Sequence, residues 1–270
     1  MVNNIKYPPL NGGKHYDLLT NHVGYNRNEM EAVIPNATYV TVLRHPVNQL
    51  VSAFSYFRWG KAIKVPRPNK EDVIDTFMEE PSKYLKGNVR LKWQSHNGQL
   101  YDLGFKTENN VITDDLVYKH IEILGKEMDL VLITEYFDES LLIMKKQLCW
   151  SMDDIVYISK CLGTSRHTMT QQTRDKILKW NRGDLLLYQH FNRTLWEKIA
   201  EYGPTFEEDL QQFRGKLQET LTECVDPSKM NTKDRRERKY VLKTNASKEC
   251  VEMSFEDTHY TNIIRTRQLN

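Results

Sequence analysis

The chain has 270 residues, of which 27% are charged and 39% hydrophobic, and its formal net charge is +2 at pH 7. This length suffices for one large domain or two small ones with a sizeable core. A charge so close to zero gives no broad positive surface for a polyanion, so we expect no nucleic-acid partner. No apolar run approaches the ~20 residues of a membrane span, and residues 1–6 contain no signal-peptide core.

Cysteines and glycosylation sequons indicate the cellular compartment in which a protein resides. The four cysteines form no CxxC pair, and no histidine cluster has zinc-ligand spacing, so we expect no metal site. Four cysteines allow three disulfide pairings, and the sequence leaves the choice open. Sequons are present at Asn36, Asn192 and Asn245. Together these features lean towards the lumen of the secretory pathway.

The first part of the chain predicts a loop followed by strands. Residues 1–16 are rich in Pro, Gly and Asn and are expected to form an irregular N-terminal segment. The apolar pair at 18–19 indicates a short strand over 17–21 that ends at His22. Residues 39–43, with the sequence YVTVL, predict a buried strand. Pro46 suits the first turn of a helix, so we expect a strand, a tight turn and a helix over 39–59.

A second strand and helix are expected at 130–150, where the apolar run LVLIT is typical of a buried parallel strand. Between the two units, residues 70–126 are expected to be mostly helical or irregular. The pattern over 205–223 predicts a helix that begins with a capping box formed by Thr205 and Glu208. Beyond residue 225 the chain becomes polar. We therefore expect the main domain over 17–225 and a polar C-terminal tail over 226–270.

Strands that alternate with helices predict an α/β fold with a parallel sheet, in which ligands bind at the carboxyl ends of the strands. Arg44 ends the first strand and precedes a helix N-terminus, where backbone N–H groups favour anions. Ser52 lies eight residues later and shares a helix face with Asn48 and Ser55. Arg44 and Ser52 could therefore bind one phosphate together. The alternative is a surface arginine beside a solvated helix face.

The segment 39–57, YVTVLRHPVNQLVSAFSYF, resembles the 3′-phosphate-binding segment of membrane-type sulfotransferases. Those enzymes use 3′-phosphoadenosine 5′-phosphosulfate, and the resemblance implies that Arg44 and Ser52 bind its 3′-phosphate. His45 stands where their pattern has an acid. Other stretches resemble the galactose-3-O-sulfotransferase (galactosylceramide sulfotransferase) family in particular, and they occur in the right order over about residues 16–200. These stretches are 19–23, Leu103-Gly104, 130–154, 180–184 and 187–196.

The resemblance implies a P-loop-NTPase-like sulfotransferase fold, with a parallel sheet flanked by helices. It implies transfer of sulfate from 3′-phosphoadenosine 5′-phosphosulfate, as cosubstrate and without a metal, to the 3-hydroxyl of galactose on a glycolipid or glycan. His22 matches the family's candidate base, and a histidine suits that task because its unperturbed pKa is about 6.5. The family resides in the Golgi lumen behind a membrane anchor, and no anchor is recognised in this sequence.

The family also has a lysine-rich loop between its first strand and helix, which wraps the 5′-phosphosulfate. The glycine–lysine stretch at 11–14, NGGK, lacks the GxxxxGK[ST] form and indicates an ordinary loop. We therefore expect a fold without its first strand and donor loop, and a chain that is inactive as it stands. A fragment, an incomplete gene model and a diverged protein remain open.

Two other interpretations remain. The chain could be a non-catalytic remnant that binds nucleotide or glycan weakly. A heparan-type uronyl sulfotransferase would share Arg44 and Ser52, but the segments at 130–150 and 180–196 disfavour it. The aromatic residues Trp180, Tyr188 and Trp196 could line a sugar site, although at helical spacing the better prediction is that they belong to the core.

Overall fold

The computed structural model describes residues 16–20, 23–66, 73–106, 111–159, 169–231 and 239–269. In chain order the elements are α1 (Arg27–Glu31), β1 (Val40–Leu43), α2 (Pro46–Tyr56), α3 (Trp59–Ala62), α4 (Val73–Glu79), α5 (Pro81–Tyr84), α6 (Val89–Ser95), α7 (Gly98–Asp102), α8 (Asp114–Glu127), β2 (Leu130–Ile133), α9 (Phe137–Gln147), α10 (Gln171–Trp180), α11 (Arg182–Tyr202), α12 (Phe206–Cys224), β3 (Val225–Asn231), β4 (Lys239–Leu242), α13 (Lys248–Ser254) and α14 (Asp257–Leu269). Short 3₁₀ turns cover Thr134–Tyr136 and Asp153–Ile155.

The chain divides into two compact units. The first, called the sheet unit here, comprises Tyr39–Ser140 and Ser165–Glu201. The second, called the terminal unit, comprises Met1–Thr38, Leu141–Thr164 and Tyr202–Asn270. The residues that the sequence singles out at the end of the first strand all lie in the sheet unit.

A small parallel sheet forms the centre of the sheet unit. β1 pairs with β2 in register from Val40 opposite Leu130 to Leu43 opposite Ile133. Every residue of β2 is buried, as its continuous apolar sequence predicts. In β1, by contrast, Val42 is 52% exposed. The predicted strand, turn and helix over 39–59 and the second strand and helix are confirmed, but the prediction that the first strand is buried was wrong, since only Leu43 of β1 is buried. The fold is an α/β fold with helices flanking a parallel sheet.

Helices pack around α2 to form an apolar core in the sheet unit. The buried face of α2 includes Val47, Leu50 and Phe54, which recur at helical spacing. These side chains pack with residues of α4 and α10, among them the fully buried Phe77 and Ile177. Burial of each such side chain stabilises the fold by roughly 1.5–3 kcal/mol relative to its exposure. The core therefore fixes the direction in which α2 leaves β1.

The terminal unit contains an antiparallel hairpin and a disulfide bond. β3 pairs with β4, with an irregularity between Val225 and Met230. Cys224, the last residue of α12, is bonded to Cys250 on α13, 26 residues later. Both half-cystines are buried beside Ile158. Residues 226–270, which are polar in sequence, thus contain strands and helices joined covalently to α12.

Two local predictions were wrong. Residues 17–20 form no strand, and Leu18 is 72% exposed, because so short an apolar run has no neighbouring strand to pair with among the described residues. Thr205 precedes α12 but makes no side-chain cap, since its backbone is already helical. Its hydroxyl donates to Asp209 at 3.4 Å instead, so the capping box with Glu208 does not form.

Within the described ranges, no helix is long and apolar enough to cross a membrane.

Replacing both Cys224 and Cys250 with Ser should lower the free energy of unfolding of the terminal unit by about 3 kcal/mol, because the bond closes a loop of 26 residues. Urea unfolding followed by circular dichroism measures this. Cys149→Ser is the matched control, since Cys149 is a free, exposed thiol. Equal unfolding midpoints for the double variant and the wild type would contradict the expectation.

Candidate functional site

The carboxyl ends of β1 and β2 lie side by side and bring Arg44 next to the turn after β2. The strands are parallel and in register, so the residues that follow them share one edge of the sheet. The hydroxyl of Thr134 donates to the carbonyl of Leu43 at 3.0 Å and ties the two strand ends together. This edge is where ligands bind in open α/β sheets.

Glu135, the second residue after β2, lies at the N-terminus of α2. Its two carboxylate oxygens each accept a hydrogen bond from the backbone N–H of His45 at 3.1 Å. One of them also accepts from Nδ2 of Asn48 at 2.9 Å. A carboxylate at this position is favoured by the partial positive charge of the helix N-terminus. The anion expected at the start of α2 is therefore supplied by the protein itself.

The ring of His45, whose backbone N–H donates to Glu135, packs against a second aromatic ring of the sheet unit. The ring of His45 lies edge-on to that of Tyr188 at 5.2 Å between centroids. Burial raises the pKa of Tyr188 above its usual range, and the negative charge of Glu135 adds to the effect. Tyr188 is therefore expected to keep its proton at neutral pH.

The pKa of His45 is lowered, mainly by burial, which opposes protonation of the ring. Glu135 acts in the opposite direction, and the positive charge of Arg174 lowers the pKa further. His45 is thus expected to be neutral at pH 7. Since Arg174 lies on α10, a second arginine contributes positive potential near the end of β1.

Gln99 holds the backbone of Arg44 through two hydrogen bonds. The N–H of Arg44 donates to Oε1 of Gln99 at 2.8 Å, and Nε2 of Gln99 donates to the carbonyl of Arg44 at 2.9 Å. The guanidinium of Arg44 has no hydrogen-bond or ion-pair partner among the described residues. The main chain of Arg44 is therefore fixed, while its half-buried side chain remains available for a ligand.

Gln99 lies at the N-terminus of α7, which packs against the N-terminus of α11. Side chains at each of these helix starts accept hydrogen bonds from backbone N–H groups of the other. The buried carboxylate of Asp184 accepts from the backbone N–H of Leu100 at 2.8 Å and of Gln99 at 3.3 Å. Asn97 accepts from the N–H of Asp184 at 3.0 Å, and its own N–H donates to Asn181 at 2.7 Å. Each helix start thus satisfies backbone N–H groups of the other.

The two helix starts lie so close together that they favour glycine at position 183 and bury the carboxyl group of Asp184. A Cβ added to Gly183 would lie 2.8 Å from Cδ2 of Leu100 and 3.1 Å from Oδ1 of Asn97, so a larger residue would push α7 away. Burial raises the pKa of Asp184 to about 6, although hydrogen bonds from Leu100 and Gln99 counteract the effect. At neutral pH the carboxylate is ionised and accepts both amides.

Ser52 lies on α2, in the same strand–turn–helix unit as Arg44, and is half-buried. Its hydroxyl makes no hydrogen bond to any described residue. Six residues of helix separate it from Pro46, or roughly 9 Å along the axis. Arg44 and Ser52 therefore present, from one strand–turn–helix unit, a guanidinium and a hydroxyl that have no hydrogen-bond partner among the described residues.

The structure describes some of the other candidate residues from the sequence and not others. His22 lies outside the described residues, so its role stays a prediction. The indole N–H of Trp180 donates to the carbonyl of Ser95 at 2.8 Å, and the ring packs against His96, which identifies Trp180 as a packing residue. Trp196 is 43% exposed and keeps an open face. Across the part of the chain that the structure describes, no group of three or more potential ligands could hold a metal ion.

Glu135 and Gln99 were not singled out from the sequence as site residues. Glu135 could have been found, because it follows a continuous apolar run and so marks the carboxyl end of a buried parallel strand. Gln99 carries no such signal, since it lies 55 residues from Arg44 in the chain and the fold alone brings them together.

Comparison of the sequence with known proteins identifies a family. Mouse galactose-3-O-sulfotransferase 2 is 34% identical over 226 residues, covering 80% of this chain and 56% of that protein. Mouse galactose-3-O-sulfotransferase 3 is 31% identical, covering 77% of this chain and 49% of that protein. Bovine galactosylceramide sulfotransferase is 29% identical, covering 71% and 45%. The chain thus spans about half the length of the curated relatives it matches. No solved structure matches it.

The sequence model described as Galactose-3-O-sulfotransferase matches residues 7–248, which includes β1, α2 and every residue of the Gln99 and Glu135 contacts. Relatives in this match are named sulfotransferases, so the chain belongs by descent to a family of enzymes. The chain is a member of the galactose-3-O-sulfotransferase family.

Proposed function

We propose that this protein is a sulfotransferase of the galactosylceramide/galactose-3-O-sulfotransferase type, which transfers sulfate from 3′-phosphoadenosine 5′-phosphosulfate to the 3-hydroxyl of galactose on a glycolipid or glycan. The observation that carries the proposal is the arrangement after β1. Arg44 has a fixed backbone and a guanidinium with no protein partner among the described residues, and Ser52 follows on the next helix. Charge-assisted hydrogen bonds from such groups bind phosphate strongly.

The position of Glu135 refines how the 3′-phosphate binds. A phosphate directly at the N-terminus of α2 would meet this carboxylate, and two anions at that distance repel each other. We therefore assign the phosphate to the side chains of Arg44 and Ser52, and not to the backbone N–H groups of the helix. Arg174 adds a second positive charge to that side.

Arg44→Ala should weaken the binding of adenosine 3′,5′-bisphosphate by about 10- to 100-fold, because one charge-assisted contact is worth roughly 1.5–3 kcal/mol. Isothermal titration calorimetry measures the affinity. Arg90→Ala, which removes the same charge from an exposed position on α6, is the matched control and should bind normally. Equal affinities for Arg44→Ala and the wild type would refute the assignment.

His22 is proposed as the base that accepts the proton of the galactose 3-hydroxyl. In an active enzyme that carries the donor loop, His22→Ala should lower turnover by roughly 10²–10⁴-fold and leave donor affinity nearly unchanged. His259→Ala, at an exposed position on α14, serves as the control. Near-normal turnover of His22→Ala with a β-galactoside acceptor would exclude the role.

The residues assigned so far contact only the 3′ end of the donor. Sulfuryl transfer also needs groups that stabilise charge on the leaving phosphate, and loss of even one such donor commonly costs 10²–10³-fold in rate. We therefore expect the 270 residues alone to show no measurable transfer of labelled sulfate to a β-galactoside. Robust turnover would mean that Lys14 or another residue serves the 5′-phosphosulfate. The alternative function is a non-catalytic protein that binds nucleotide or glycan weakly.

We further propose the P-loop-like sulfotransferase fold, with another strand beside β1. The exposure of Val42 supports this, because apolar strand residues are normally covered.

We also propose the Golgi lumen as the compartment, behind an anchor of the kind expected in the family. The disulfide between Cys224 and Cys250 supports an oxidising lumen. The sequon at Asn245 lies in an exposed turn, where a glycan can be attached.

A further inference from the structure

The backbone of Arg44 is restrained by hydrogen bonds, although the residue lies in the connection between a strand and a helix. Both of its hydrogen-bonding groups are taken by one side chain, since Gln99 accepts from the N–H and donates to the carbonyl. The next N–H, that of His45, donates to Glu135. These three contacts lie on 2 consecutive residues and leave the main chain at Arg44 little freedom.

A glutamine is suited to this task because its amide carries an acceptor and a donor on the same planar group. It can therefore bind both backbone groups of one residue, as a neighbouring strand would. Glutamate would lack the donor for the carbonyl of Arg44, and methionine of similar size would make neither bond. The contact is thus specific for the amide and not for the volume of the side chain.

The side chain of Gln99 can hold the backbone of Arg44 in place because the backbone of Gln99 is itself held by hydrogen bonding. It is the second residue of α7, and its N–H donates to Asp184 on α11. Asp184, Asn97 and Asn181 are each 3% exposed. Their hydrogen bonds join α11 to α7, and a shift of either helix start would leave buried polar groups unpaired.

We propose that Gln99 is a positioning residue for the donor, which holds the backbone of Arg44 so that its guanidinium points at the 3′-phosphate. Gln99 does not touch the ligand in this account, and the paired caps of α7 and α11 keep it in place. The inference rests on the proposed function, since it gives Arg44 the role of phosphate ligand. It also explains why Asn181 and Asp184, remote in sequence from Arg44, matter to the site.

The test compares two nucleotides in the 270-residue chain. Adenosine 3′,5′-bisphosphate has the 3′-phosphate, and adenosine 5′-phosphate lacks it. Gln99→Met should reduce the preference for the bisphosphate by about tenfold and leave the affinity for adenosine 5′-phosphate unchanged, because only the contact with Arg44 is misplaced. Gln212→Met, an exposed glutamine on α12, is the matched control and should retain the full preference.

Amide hydrogen exchange without ligand provides an independent measurement. In Gln99→Met the amide of Arg44 should exchange about tenfold faster, while the amides of β2 keep their protection. Unchanged nucleotide preference with unchanged exchange at Arg44 would overturn the inference. Equal loss of affinity for both nucleotides would also overturn it, since that result indicates a general structural role.

Failure of the proposed function gives a different result. If the wild-type chain does not distinguish the two nucleotides, Arg44 is not a ligand of the 3′-phosphate and the functional part of the inference is refuted with it. The exchange rate of the Arg44 amide then decides by itself whether Gln99 holds this backbone.

Discussion

The carboxylate of Glu135 at the start of α2 is the contact on which the rest of the site depends. It joins the end of β2 to the start of α2 through the backbone of His45 and the side chain of Asn48. It also satisfies the electrostatic preference of the helix N-terminus for an anion. Because that position is filled, the proposed function has the 3′-phosphate bound by side chains. The proposal gives this role to the guanidinium of Arg44 and the hydroxyl of Ser52, which have no hydrogen-bond partner among the described residues.

A second constraint comes from burial. Asp184 is buried and charged at neutral pH, which is costly unless the carboxylate is hydrogen-bonded. The fold meets this requirement with the amides of Leu100 and Gln99, and it thereby fixes α7 against α11. The same contacts place the side chain of Gln99 beside Arg44. One set of hydrogen bonds therefore stabilises the interior and also fixes the backbone at the end of β1.

The sequence predicted those elements of the fold that are determined by residues adjacent in the chain. The β-branched run before Arg44, the proline at position 46 and the apolar run of β2 each determine an element from a few adjacent residues. Local reasoning failed at Leu18, where a short apolar pair had no strand to join, and at Thr205, where the backbone was already helical. Gln99 could not be found at all, because its partner is set by tertiary packing of α7, α11 and β1.

The matches to relatives cover most of this chain but only about half the length of each relative. They show the family, and the acceptor is part of the proposed function. The contacts at the ends of β1 and β2 support only the proposed site for the 3′-phosphate of the donor.

The most direct test is a crystal structure of this chain with bound adenosine 3′,5′-bisphosphate. The account predicts that the 3′-phosphate is hydrogen-bonded to the guanidinium of Arg44 and the hydroxyl of Ser52. It also predicts that Glu135 still accepts from the backbone N–H of His45. A phosphate bound away from Arg44, or seated on the N-terminus of α2 with Glu135 displaced, would contradict the account.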